Sequence, residues 1–480
     1  MSHVIGEPTA QAATRTPARS VDPASPGETV HEFVPTTVGE VESAQARASR
    51  AAPQWGRTTP AHRAGILNRV ADELVARKEE LARLITREEG KTLAAATGEV
   101  GKTVEQFRFA GQLAYQVEGS TYPQETPGTF TYTLRAPLGV IVAITPWNFP
   151  VSLAARKIAP ALAAGNVVLF KPSPVTAGTG QMLADACRAA GVPDDVLQVV
   201  QGDDRDAMTA LVGAREVAAV TFTGSDAVGE ILRRTSNTRA RLQFELGGHN
   251  AAVVCADAKL DAAARKVAAG AFELSGQACT ATDRVLVDRR VFDPFVDLLR
   301  EQVEGMRVGP GLDPSTTVGP VATAAQHRRL TDLLTSASGA GRVAAQSRLD
   351  PSLDPDGYWI PPTVLVDVPP DHPLNTREIF GPLLSVVPVD DVEDALAVVN
   401  ASGHGLVTAV HTADARKAHR FAQLATCGIV KVNERTTGNG VAPPFGGWKA
   451  SSSGAFPEGG RGALDFVTDT KTVYFGYEDA

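Results

Sequence analysis

Val140-Ile141-Val142-Ala143-Ile144-Thr145-Pro146-Trp147-Asn148-Phe149-Pro150 is the stretch whose reading decides the fold. Its first five residues are apolar and mostly β-branched, the composition of a short strand buried on both faces. Two prolines then stiffen the loop at the strand end. A helical segment over about 151–164 stops at Gly165, and Val167-Val168-Leu169-Phe170 is the next strand. The pattern repeats. Thr176 can cap a helix ending at Gly191, with Pro193 just beyond. Strands follow at Val196–Val200, Val217–Phe222 and Leu242–Glu245. Strands alternating with helices are βαβ units, and these build a parallel sheet by right-handed crossovers. Such sheets bind ligands beyond the carboxyl ends of their strands. Pro146–Asn148, Lys171–Pro174, Phe222–Ser225 and Glu245–Gly248 all fall at those ends.

Upstream, residues 60–90 carry apolar residues at helical spacing and predict one long amphipathic helix stopped by Gly90. A second helical run covers about 97–117. Residues 1–25, rich in Ala, Thr and Pro, read as a loose tail. Beyond about residue 247 a second α/β region is expected, with strands near 251–255, 284–288, 384–389, 406–411 and 428–432. Segment 120–136 is Thr- and Tyr-rich around a Pro-Gly turn and predicts a β-hairpin. Thr470–Phe475 alternates like a strand. Both read as peripheral strands whose edges need partners, another subunit among them.

A chain of 480 residues exceeds one hydrophobic core, so two or three domains are expected. The net charge of −8 argues against nucleic acid as a partner. Apolar runs are too short for a membrane span, and the N-terminus lacks a signal pattern. Cys187, Cys255, Cys279 and Cys427 fit neither a disulfide framework nor a metal-ligand spacing. A reducing cytoplasm and no metal are the expectation.

Cys279 stands apart in Ser275-Gly276-Gln277-Ala278-Cys279, where small neighbours leave its sulfur accessible. It reads as a thiol nucleophile or as a small buried hydrophobe. Glu245, in Phe244-Glu245-Leu246-Gly247-Gly248, is a carboxylate base to match it. Asn148, on its proline-stiffened loop, reads as an oxyanion donor or as a turn asparagine. Lys171 offers a donor to ribose or phosphate, or is a solvated lysine. Ser225, after Phe222-Thr223-Gly224, offers a pyrophosphate contact at a helix start, or is an ordinary N-cap. No GxGxxG follows a strand, and no GxSxG is present. Phe380, in Glu378-Ile379-Phe380-Gly381-Pro382, and Phe445, in Phe445-Gly446-Gly447, are site aromatics or core.

Taken together, PWNFP, FKPS, FTGS, ELGG, GQAC, EIFGP and PFGG resemble, in order and approximate spacing, the aldehyde dehydrogenase superfamily over about residues 25–478. The resemblance implies an α/β fold. A Rossmann-type parallel-sheet cofactor domain would span 26–118 and 137–246, and a catalytic domain 247–446. A small β oligomerisation element would comprise 119–136 and 463–480. It implies Cys279 as nucleophile, Asn148 with the Cys279 backbone N–H as anion hole, and Glu245 as the base that activates the deacylating water. The cofactor, NAD or NADP, would meet Thr145, Pro146, Trp147, Lys171, Ser173, Pro174, Gly202, Phe222, Thr223, Gly224, Ser225, Val228, Leu246, Gly247, Glu378 and Phe380. Lys171 and Glu378 would hold the riboses. The aldehyde would meet Arg156, Glu273, Thr280 and Phe445. A homodimer or homotetramer is the implied assembly.

The sequence also departs from the pattern. Pro174 stands where NAD-preferring relatives often carry Glu, which leaves NADP open, while Asp203-Asp204 adds acidity nearby. Val432–Gly438 and Lys471–Tyr474 look like the semialdehyde-oxidising branch, including 2-oxoglutarate semialdehyde dehydrogenases. Arg156 matches a position that binds a distal carboxylate in succinic semialdehyde dehydrogenases. Glu273 cuts against this, since an acid there would repel a carboxylate, pair with Arg156, attract an amine or point to solvent. Acyl transfer to coenzyme A, or oxidation of an aminoaldehyde or aromatic aldehyde, are the alternatives.

Overall fold

The computed structural model describes residues 15–477. We number the strands of its two main sheets in chain order. The first sheet contains β1 (Val140–Ile144), β2 (Val167–Lys171), β3 (Leu197–Val199), β4 (Val217–Thr223) and β5 (Arg241–Glu245). They run parallel in the order β3-β2-β1-β4-β5. Every residue of β1 and β2 is buried, as their unbroken apolar runs require. Register aligns the carboxyl ends: Ile144 pairs with Lys171 on one side and Phe222 on the other, and Thr223 pairs with Glu245. The four sequence motifs therefore open on one sheet edge.

The second sheet contains β6 (Asn250–Val254), β7 (Thr282–Asp288), β8 (Arg342–Gln346), β9 (Thr363–Val366), β10 (Leu383–Val389), β11 (Val407–His411) and β12 (Ile429–Val432). Its order is β8-β9-β10-β7-β6-β11-β12, parallel except for β8. β8 and β9 had no counterpart in the sequence reading. β8 is short and largely exposed at a sheet edge, so it carries little periodic signal. Among the described residues, no helix is long and apolar enough to cross a membrane.

Four expectations need correction. The helix over 60–90 is two helices, Pro60–Ala76 and Lys78–Glu89, which meet at Arg77. Both pack on the helix Leu93–Leu113, and tertiary contact sets their separate directions. Thr176 precedes the helix Ala177–Ala189 but makes no side-chain cap. Instead Glu88 accepts from the backbone N–H groups of Gly178 (3.0 Å) and Thr179 (2.8 Å), placing a carboxylate at the helix's positive end. The tail reading fails for residues 18–25: Ala18–Asp22 pairs antiparallel with Ser25–Phe33, and Ser20 Oγ donates to buried Glu88 at 2.6 Å. Residues 1–14 lie outside the described residues. Last, the peripheral strands pair with each other: Thr468–Gly476 runs antiparallel to Thr129–Pro137, which also pairs with Thr121–Tyr122. Residues 463–467 form a short helix, buried through Leu464, Phe466 and Val467, not a strand.

Candidate active site

Cys279 is brought to the first sheet's edge by a contorted loop. The helix Leu260–Phe272 ends, and Leu274 (φ 58°), Ser275 (φ 55°) and Gly276 (φ 67°) follow in left-handed backbone. Two consecutive non-glycine residues there are costly and persist only where the surroundings fix them. Here Ser275 Oγ donates to the Gly319 carbonyl at 2.8 Å, and Gln277 Oε1 accepts from Ala322 N–H at 2.9 Å. A Cβ on Gly276 would lie 2.2 Å from the Gly381 carbonyl oxygen, so only glycine fits. Asn250 Nδ2 donates to the carbonyls of Cys279 and Ala281, both at 2.8 Å. Cys279 itself stays partly accessible, whereas Cys187, Cys255 and Cys427 are buried.

Two cavities meet at this sulfur. One, of about 350 Å³, is lined by Pro146, Trp147, Asn148, Thr223, Gly224, Ser225, Leu246, Gly247, Glu378 and Phe380, together with Gln326 and Arg329. The other, of about 470 Å³, is lined by Arg156, Glu273, Thr280, Phe445, Phe149, Glu99 and Lys102 among others. Cys279 lines both. Burial pushes its thiol up to about 12, with the Glu378 and Glu245 carboxyls adding to the rise and Arg156 opposing it. A base or a bound cation must therefore help to ionise it.

Asn148 is buried at the mouth of the proline-stiffened loop. Its Nδ2 donates to the Gln277 carbonyl at 2.9 Å, beside Cys279. An amide nitrogen has a second N–H, which remains for a ligand. Lys91 holds the loop from behind. Its ammonium, fully buried, pairs with Glu99 at 2.7 Å and donates to the Asn148 carbonyl. Glu99 in turn accepts from Val151 and Ser152 N–H, both at 3.1 Å.

Glu245 ends β5, with its Oε1 accepting from Ser452 Oγ at 3.1 Å. Burial and the nearby Glu458 carboxyl raise its pKa well above the ordinary carboxyl range, and Lys157 opposes them. A carboxyl that holds its proton more tightly is, once ionised, a stronger base toward water. Lys157 and Glu458 form a fully buried ion pair behind it. Glu458 is set there by reciprocal backbone bonds with Phe445, at 2.7 and 2.6 Å.

In the smaller cavity, Phe380 takes a left-handed backbone (φ 48°), and its ring meets Trp147 edge-on at 5.5 Å. Glu378 accepts from Gly248 N–H at 3.0 Å, and burial beside Asp283 pushes its carboxyl up to about 8. Lys171 and Ser173 are buried and Pro174 half-buried at the end of β2, at the same sheet edge but outside that cavity's lining. Burial lowers the Lys171 ammonium to about 8, while Asp203 raises it. Gly202 follows β3 with φ 93°. Val228 is exposed, and its N–H donates to the capping Ser225 Oγ at 3.4 Å. Thr145 and Phe222 are buried and do not line the cavity: Thr145 N–H donates to the Lys171 carbonyl, and the Phe222 ring packs on Phe244.

The cavity's lining suits the nicotinamide end of a dinucleotide. Thr223 Oγ1 and Asn148 Oδ1 are buried without partners among the described residues. A Cβ on Gly247 would lie 2.6 Å from Glu378 Oε2, so glycine keeps the wall open. The ten-residue helix Asp226–Thr235 starts at Ser225, and its first N–H groups suit a phosphate.

Glu273 does not pair with Arg156. It is exposed at the rim of the larger cavity and bonds Arg435. Arg156 is buried, and its guanidinium lies 4.4 Å from the centre of the Phe445 ring. Sequence reasoning missed Lys91, Glu99, Gln277, Asn250, Gln326, Arg329, Lys157 and Glu458. Gln277 lies inside the GQAC motif and Lys157 stands next to Arg156, and those positions were the one signal available. Among the described residues there is no cluster of potential metal ligands.

The profile of the aldehyde dehydrogenase family matches residues 9–473. The chain is 37% identical over 459 residues to an alpha-ketoglutarate semialdehyde dehydrogenase of Haloferax volcanii, covering 95% of each chain. It is 35% identical to a 2,5-dioxopentanoate dehydrogenase of Saccharolobus solfataricus, over 95% of this chain and 96% of that one. An NAD-dependent aldehyde dehydrogenase from Sinorhizobium meliloti superposes with a TM-score of 0.92 at 32% identity, over 97% of this chain and 92% of that one.

Proposed function

The chain belongs to the aldehyde dehydrogenase family and oxidises an aldehyde to its acid with NAD(P), and we propose that its substrate is a semialdehyde whose far end is a carboxylate. Arg156 carries this reading. It is a buried cation, stacked on Phe445, with no ion pair among the described residues, in the cavity that closes on Cys279. A buried charge needs a counter-charge, and a guanidinium fork matches a carboxylate. The Glu273–Arg435 pair removes the acid that would have repelled such a group or attracted an amine. The two relatives named for 2-oxoglutarate semialdehyde, also called 2,5-dioxopentanoate, support that compound as the substrate.

The residues divide the chemistry as follows. Once a base or solvent has taken the Cys279 thiol proton, the thiolate attacks the aldehyde carbon, and the second N–H of Asn148 and the Cys279 backbone N–H receive the oxygen's negative charge. A bound nicotinamide cofactor would supply the hydride acceptor for the oxidation. Glu245 then takes a proton from the water that hydrolyses the thioester. Pro146, Trp147, Thr223–Ser225, Leu246, Gly247, Glu378 and Phe380 would hold the nicotinamide end of that cofactor, and Lys171, Ser173, Pro174, Gly202 and Val228 the adenosine end. Thr280 and Phe445 shape the aldehyde's path. The exposed Phe130, Tyr474 and Phe475 on the small sheet support a homodimer or homotetramer built through that sheet.

A substrate panel tests the reading. Wild type should prefer 5-oxopentanoate over pentanal. Arg156→Met should shrink that preference by roughly tenfold, mainly through KM, the scale of a charge-assisted hydrogen bond. Equal use of both aldehydes by wild type would defeat it.

A further inference from the structure

We propose that Lys102 is a second specificity-determining cation, which together with Arg156 selects an aldehyde acid bearing an oxygen on the carbon next to its carboxylate. This deepens the semialdehyde reading above and rests on it.

The helix Leu93–Leu113 sets the geometry. Ala95, Gly98, Glu99 and Lys102 recur at helical spacing and all line the larger cavity. Ala95 and Gly98 have little or no side chain, so this face of the helix gives the substrate room. Glu99 is fully used, by Lys91 on one oxygen and two backbone N–H groups on the other. Glu273 is neutralised at the rim by Arg435. Two charges in the lining remain without a counter-charge among the described residues: Arg156 and Lys102. Neither is in an ion pair there, and neither donates a side-chain hydrogen bond.

The groups whose charge acts on the Lys102 ammonium are Arg156, Glu99, Cys279 and Lys431. Burial, followed by the Arg156 charge, lowers its ammonium to about 8, with Glu99 opposing. Two cations in one small cavity repel, so the site is electrostatically incomplete until an anion enters. One carboxylate satisfies the planar fork of Arg156. Lys102, a point charge on a flexible stem, then has donors left for a neighbouring oxygen. A 2-oxo acid supplies both acceptors on adjacent carbons, whereas a plain ω-oxo acid supplies only the carboxylate.

The test uses full-length enzyme and three five-carbon aldehydes: 2,5-dioxopentanoate, 5-oxopentanoate and pentanal. Wild type should favour the dioxo acid over the mono-oxo acid by roughly tenfold or more in kcat/KM. In Lys102→Met that ratio should fall toward one through KM, and Lys102→Arg should restore part of it. The wild-type KM for the dioxo acid should also climb above about pH 8. That climb should be missing in Lys102→Met, a behaviour that a purely structural lysine would not produce. An unchanged ratio in Lys102→Met, or equal loss on both acids, overturns the inference. If wild type does not separate 5-oxopentanoate from pentanal, the carboxylate reading itself has failed, which is a different result.

Discussion

Replacing Lys91 with Met should damage catalysis from behind the anion hole. Lys91 is fully buried and its ammonium joins four things: the Glu99 carboxylate at 2.7 Å, the Glu89 carboxylate at 3.9 Å, the Asn148 carbonyl and, 4.5 Å away, the face of the Phe149 ring. Methionine fills similar volume but leaves Glu99 without its counter-charge. Breaking a buried pair costs about 3–5 kcal/mol. Glu99 keeps two backbone donors, from Val151 and Ser152, so the lower end, about 3 kcal/mol, is expected. The Asn148 carbonyl also loses its donor, and the loop that aims the amide loosens. Losing one oxyanion donor outright costs roughly 100- to 1000-fold in kcat. A loosened donor should cost less, so kcat should fall about 10- to 100-fold. The assay is kcat at a temperature where circular dichroism shows the variant folded, with cofactor affinity measured by fluorescence. Cofactor affinity should change little. A folded Lys91→Met enzyme with kcat within about twofold of wild type would refute the clamp.

Two further outcomes are expected. Cofactor affinity should peak near pH 8. Glu378 ionises there as the pH rises and becomes a better acceptor for ribose hydroxyls, while Lys171 loses its charge above the same value. Glu378→Gln should flatten the acidic side and Lys171→Met the alkaline side, measured by cofactor fluorescence titration; unchanged profiles in both would remove these residues from the site. The double change Tyr474→Ser and Phe475→Ser takes two exposed aromatics off the small sheet. It should shift the protein toward monomer in light scattering, and an unaltered mass would place the subunit contact elsewhere.

Legibility in the sequence followed the range of the interactions. β1 and β2 were readable because burial on both faces leaves unbroken apolar runs, and their ends placed Asn148 and Lys171 at once. Cys279 was readable because small residues surround it. What stayed hidden was held by distant partners. Glu458 meets Lys157 behind Glu245 only after the chain returns from the second sheet. Lys91 follows a helix-ending glycine, where a solvated lysine is the ordinary expectation, yet it is among the most buried side chains. The break at Arg77 has neither Gly nor Pro to mark it and comes from packing on a third helix. Glu273 was the least readable residue near the thiol, because its partner, Arg435, lies beyond most of the second sheet in sequence.

The central claim, that the aldehyde carbon becomes bonded to Cys279 and is freed by water that Glu245 activates, is tested most directly in the Glu245→Gln enzyme. Mixed with aldehyde and cofactor and quenched within the first turnover, it should show a burst of reduced cofactor. Mass spectrometry should find the acyl group on the peptide containing Cys279. A burst with that peptide unmodified, or full steady turnover in Glu245→Gln, would contradict the account.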